Sequence, residues 1–174
     1  MNPIELARQH ARRLHDESVQ RGRDPWSPYE FAVGIANDLG ITVETCAPGA
    51  ALLDGGRATF DPDLPLLVHE TGGSPFDQAF LVAHEIGHAE LGDGEEGPEP
   101  AAQIDPTRTS EAAPVGMDRV VDYSRRQRRE GQMDLFAREL LLPRTVALDL
   151  HVVQGQMCSK IAARLGAPFE VVAQ

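Results

Sequence analysis

The chain has 174 residues, 41% of them hydrophobic, and a formal net charge of −11. That length supports one modest core, or one domain with an incomplete second piece. No stretch approaches the roughly 18 consecutive apolar residues of a membrane helix, and so acidic a balance argues against nucleic-acid binding over the whole surface.

The opening Met1-Asn2-Pro3-Ile4-Glu5 lacks the basic start and apolar core of a secretory signal. Cys46 and Cys158 lie far apart and match no metal or disulfide spacing. A reduced, cytoplasmic setting is the expectation.

In chain order, residues 3–20 read as a helix with a loose apolar stripe of Ile4, Leu6, Ala7, Ala11, Leu14 and Val19. Ser27-Pro28-Tyr29-Glu30 has the form of a capping box with proline at the first helical position, and Gly40 ends that second helix. Ile41 to Thr45 alternates like a strand. Leu52-Leu53 is expected to begin a second strand, Arg57 to Asp61 a third, and Leu64 to Glu70 carries a strong apolar run. Together these predict a small, mostly antiparallel sheet of about three strands. Thr71 to Pro75 reads as a loop, and a helix follows from about Phe76 to Leu91.

Residues 93–116 are rich in Glu, Asp, Pro, Gly and Ala and read as a long mobile loop. Helix resumes by Glu130 and runs to Leu142 before Pro143. Residues 144–153 and Ser159 to Leu165 are predicted helical. A last helical start, Phe169 to Gln174, stops before it packs against anything, which implies a continuation. The expected division is a domain over 1–145 and a C-terminal helical segment over 146–174, possibly incomplete. The run Arg125-Arg126 and Arg128-Arg129 reads as a solvated helix start.

The chemistry centres on His84-Glu85-Ile86-Gly87-His88. At about 100° per residue, histidines four apart leave one face of a helix a turn apart, as two nitrogen ligands of one Zn²⁺ require. Glu85 is placed to reach a metal-bound water and act as the catalytic base rather than as a ligand. Gly87 leaves room beside the second histidine for a loop or substrate. This is the zincin arrangement, so the expected fold is α+β and zincin-like, with the sheet packed on helices. A catalytic zinc site has three protein ligands and an open position. The residue six after His88 is Gly94, which excludes the metzincin third histidine. His69, His151 and the acidic residues downstream stay open as the third ligand. Among these, Glu130 stands near the start of a helix whose Phe136, Leu140 and Leu141 could dock it on the active helix.

The zincin motif followed by Glu130-x-Gln132-Met133-Asp134-x-Phe136-Ala137-x-Glu139-Leu140-Leu141-Leu142-Pro143 resembles the ImmA/IrrE family of metallopeptidases over about residues 25–145. The resemblance implies Zn²⁺ held by His84, His88 and Glu130, with Glu85 catalytic; Glu139 is the next candidate ligand. Three departures stand out: Met133-Asp134 replaces the family's usual Ala-Asn, Gln132 occupies a position that is often a second glutamate, and the linking loop is long and acidic. Asp93 is a candidate acceptor for a ligand histidine's free N–H, and Tyr123 or His69 for oxyanion stabilisation. The strand ending at His69-Glu70 is a candidate edge for an extended substrate.

The function implied is a cytoplasmic zinc endopeptidase with a regulatory role. Its partner would be a protein substrate, such as a helix-turn-helix repressor cleaved in a stress, DNA-damage or mobile-element response. The alternative is a non-catalytic zincin-fold sensor that recognises a protein partner or DNA. Ile161 to Val172 faintly resembles the turn of a helix-turn-helix, with a plain helical hairpin favoured.

Overall fold

The computed structural model describes residues 2–92, 104–107 and 125–174. Helix α1 is Pro3–Gln20, opened by the Asn2 side chain, which accepts from the Ile4 amide. Its buried face is Ala7, Ala11, Leu14, His15 and Ser18, while Ile4, Leu6 and Val19 stay exposed. Helix α2 is Pro28–Asp38. Ser27 caps it only in position, because no side-chain cap bond forms; its hydroxyl points instead to Asp24 at 3.4 Å. The capping box belongs to the next long helix, α3 (Pro75–Leu91), where Ser74 and Asp77 exchange both bonds. The stretch that reads as a mere loop thus carries that helix's start signal.

Strands β1 (Thr42–Cys46), β2 (Ala58–Asp61) and β3 (Leu66–Glu70) form one sheet in the order β1-β3-β2. β2 pairs antiparallel to β3, but β1 pairs parallel to it, so the sheet is mixed rather than antiparallel. Leu52-Leu53 belongs to a short 3-10 turn, Ala51–Leu53, not to a strand. The apolar density of Leu66-Leu67-Val68 has a topological cause: β3 is the central strand, with Leu67, Val68 and His69 all buried. It is paired on both sides and cannot take up a peptide. The expectation of substrate pairing along β3 is therefore wrong; the sheet's edges are β1 and β2.

Helix α3 sits in the middle of the fold. From Ala79 to His88 every residue is buried, because α2, α4 and the sheet all pack on it. A helix covered on every side carries apolar residues all round, as Phe80-Leu81-Val82-Ala83 does. Helix α4 (Arg125–Leu141) lies against both α1 and α3. Beyond Pro143 come α5 (Arg144–Leu148), a π turn at Asp149–Val153, α6 (Cys158–Leu165) and α7 (Phe169–Ala173). Leu165 belongs to the main buried cluster, with Ala167 and Val171 packed against it, so the last helical turn does pack. Arg164 also stacks on Trp26, 3.8 Å from the ring centre. Most of the predicted 93–116 loop lies outside the described residues, but Ile104 within it is buried in the core. Among the described residues no helix is long and apolar enough to cross a membrane.

Candidate metal centre

His84 and His88 leave α3 on the same side, with ring centres 5.0 Å apart and both side chains buried. Their Nε2 atoms approach to 3.2 Å. Glu85 is 4% exposed, and His84, Glu85 and His88 each present a ligand atom within 4.8 Å of the others. This buried group could hold a metal ion.

Helix α4 brings a second carboxylate to the same point. Glu130 Oε2 lies 3.1 Å from His84 Nε2, and its Oε1 lies 3.7 Å from His88 Nε2. Donors about 2.0–2.1 Å from a tetrahedral ion stand roughly 3.3 Å from one another. Two imidazole nitrogens and one carboxylate at 3.1, 3.2 and 3.7 Å fit that spacing. Burial alone would raise the Glu130 carboxyl, but its bonds to His84 and His88 and their charge hold it down at about 2. Burial works to lower His84 too, yet the bonds to Asp134 and Glu130 leave it raised.

The far side of His84 is fixed as well. Its Nδ1 lies 2.9 Å from Asp134 Oδ1, both side chains being almost fully buried. With a cation in place of the proton between His84 and Glu130, Nδ1–H would donate to Asp134 and the Nε2 lone pair would be turned to the ion. Sequence reasoning proposed Asp93 for this task, and Asp93 lies outside the described residues. The signal that could have found Asp134 is its helical spacing: it follows Glu130 by four, so both carboxylates share one face of α4.

Gly87 explains how α4 comes so close. A Cβ built there would stand 2.9 Å from Met133 Sδ and 3.1 Å from Phe136 Cδ1. The room beside the second histidine is therefore filled by a helix, not by a loop or substrate. Arg129, in the run expected to be a solvated start, instead donates to the Leu91 carbonyl at 2.6 Å and ties α4 to the last turn of α3.

The remaining candidates lie elsewhere. Glu139 Oε1 accepts from Arg12 Nη2 at 3.2 Å and from the Arg144 amide at 3.3 Å. His151 Nδ1 bonds the Gln156 carbonyl at 2.7 Å on the π turn. His69 donates from Nδ1 to the Glu70 carbonyl at 2.9 Å, and its Nε2 lies 3.0 Å from the Tyr29 hydroxyl; burial lowers its pKa. Tyr123 lies outside the described residues.

No family model and no curated protein matches the sequence. Among solved structures, the fold is similar to a Mycobacterium tuberculosis transcriptional regulator, with a TM-score of 0.60 at 20% identity. The likeness covers 99% of this chain and 50% of the other, so the chain spans half the length of that protein. At that identity the likeness concerns the fold alone.

Proposed function

We propose that the chain is a zinc-dependent endopeptidase of zincin type, related to the ImmA/IrrE metallopeptidases. The observation that carries this reading is the convergence of His84 Nε2, His88 Nε2 and the Glu130 carboxylate, with Glu85 buried beside them. Two imidazoles and one carboxylate form a donor set that suits Zn²⁺ and leaves a fourth position open. As a carboxylate, Glu130 would contribute the negative charge that two neutral imidazole ligands lack.

When bound, the ion would supply Lewis acidity, acidifying a water and polarising the scissile carbonyl. Glu85 then takes the proton of the attacking water and returns it to the amine nitrogen as the C–N bond breaks, so no proton is gained or lost. Asp134 keeps the His84 ring in the tautomer that leaves Nε2 free for the ion. The substrate we propose is a specific protein partner such as a helix-turn-helix repressor, cleaved in a stress, DNA-damage or mobile-element response. The structural neighbour's name, transcriptional regulator, is compatible with this and equally with a non-catalytic zincin-fold sensor.

Glu85→Gln separates the two readings. It should retain one zinc per chain while losing cleavage of a co-expressed repressor, and His84→Ala should lose both. Zinc bound by wild type, with every candidate repressor left intact, would point to the sensor instead.

A further inference from the structure

Glu130 stands outside the packing that holds its helix. The buried run of α4 begins at Met133, and Glu130, Gly131 and Gln132 before it are only partly buried. Gly131 weakens this turn further, since only proline is a poorer helix former than glycine. Something other than the apolar seam has to hold the third donor at ligand distance.

Two side chains of the same turn make the connection. Arg129 Nη2 donates to the Leu91 carbonyl at 2.6 Å, and its Nη1 donates to Gln132 Oε1 at 2.9 Å. Gln132 Nε2 in turn donates to the Pro3 carbonyl at 2.8 Å. Leu91 is the last residue of α3, three after His88, and no further helix amide follows to bond its carbonyl. A guanidinium there also suits the negative end of the α3 dipole. Pro3 is the first residue of α1. One relay of bonds therefore fastens the turn that carries Glu130 to the end of α3 and to the start of α1. Its middle member has to be an amide: a carboxylate at 132 would accept from Arg129 but has no N–H for Pro3.

We propose that Arg129 and Gln132 are positioning residues of the metal centre, a clasp that holds Glu130 at 3.1 and 3.7 Å from the two histidines. The proposal rests on the zinc reading of that centre, and metal affinity tests it rather than cleavage. Charge and position predict opposite signs. Arg129 is a cation next to Glu130 in sequence, so on charge alone its removal tightens Zn²⁺ binding. Loss of the clasp weakens it.

In chelator competition on the 174-residue chain, Arg129→Met should weaken Zn²⁺ binding about tenfold, the lower end for residues that orient ligands. Gln132→Met, which changes no charge, should do the same. In a Glu130→Ala background, with no carboxylate left to place, Arg129→Met should bring no further loss. Amide exchange of the zinc-free chain gives a readout without metal: Arg129→Met should speed the helix amides of residues 129–132 severalfold and leave Phe136 to Leu141 unchanged. Zinc affinity left unchanged or raised by either single variant, a further loss in the Glu130→Ala background, or faster exchange along all of α4 would each overturn the clasp alone. A wild-type chain that takes up no zinc would overturn the metal reading, and the proposal with it.

Discussion

At the scale of single residues, the centre depends on which atoms of His84 are committed. One ring nitrogen meets Asp134 at 2.9 Å and the other meets Glu130 at 3.1 Å. An aspartate in this place both orients the ring and makes its free nitrogen more basic, whereas an asparagine does only the first. Asp134→Asn should therefore keep the fold and weaken zinc binding modestly, towards the lower end of the roughly 10- to 100-fold range for such partners. Asp134→Leu should reach the upper end. Competition with a chromophoric chelator measures both, and equal affinity for all three chains would remove Asp134 from the site. Glu130 was legible as a ligand only through the resemblance and through the apolar residues that follow it. Nothing within Glu130-Gly131-Gln132 distinguishes a ligand from a solvated helix residue.

At the scale of elements, the centre exists because two helices touch. α3 supplies His84, Glu85 and His88; α4 supplies Glu130 and Asp134, with Met133, Phe136, Ala137 and Leu140 fully buried in the seam. Gly87 sets the approach distance. Gly87→Ala gains roughly 1 kcal/mol of helix propensity and loses about 1–3 kcal/mol to overpacking. The Met133 thioether can swing aside, but the buried Phe136 ring has less freedom. The net expectation is a lower urea midpoint together with weaker zinc binding, because any shift of α4 also moves Glu130. Gly131 is the built-in control. It lies in α4 beside Glu130 with open space where its Cβ would go. Gly131→Ala should raise the urea midpoint, stabilising the chain by up to about 1 kcal/mol, without loss of zinc. If both variants behave alike, the close approach at Gly87 is not what positions α4.

At the scale of the whole molecule, stability should depend on pH through buried histidines as well as through the metal centre. His15 joins α1 to α4: it is buried, donates from Nδ1 to the Leu140 carbonyl at 2.8 Å and lies against Phe31. Burial pushes its pKa below the ordinary 6.5, despite raising contributions from the Leu140 bond, Asp16 and Glu139. Above pH 6.5 neither the folded nor the unfolded chain protonates it, and its full contribution is present. Below that, the unfolded chain takes the proton first, so stability falls until the pH passes the lowered folded value. The slope from one such group is at most about 1.4 kcal/mol per pH unit. Urea midpoints of the chelator-treated protein between pH 7.5 and 5 should fall less steeply for His15→Gln than for wild type. His69, lowered in the same direction, accounts for part of the slope that remains. An unchanged slope would show that His15 does not carry the effect.

What the sequence determined by itself was local. Hydrophobic spacing and Pro or Gly punctuation placed the long helices and the three observed strands within a few residues, since they act over one or two turns of chain, but they did not tell the 3-10 turn at Leu52-Leu53 from a strand. The four-residue interval of His84 and His88 implied a shared face before any partner was known. What only the tertiary structure decided is long-range. β1 runs parallel to β3 because the chain crosses over before pairing, and alternation along one strand does not encode the direction of its neighbour. Likewise α4 closes on α3 across some 40 residues of sequence and brings Asp134 to His84. Side chains on one helix face are set by period; which face of another helix they meet is set by packing the whole core at once.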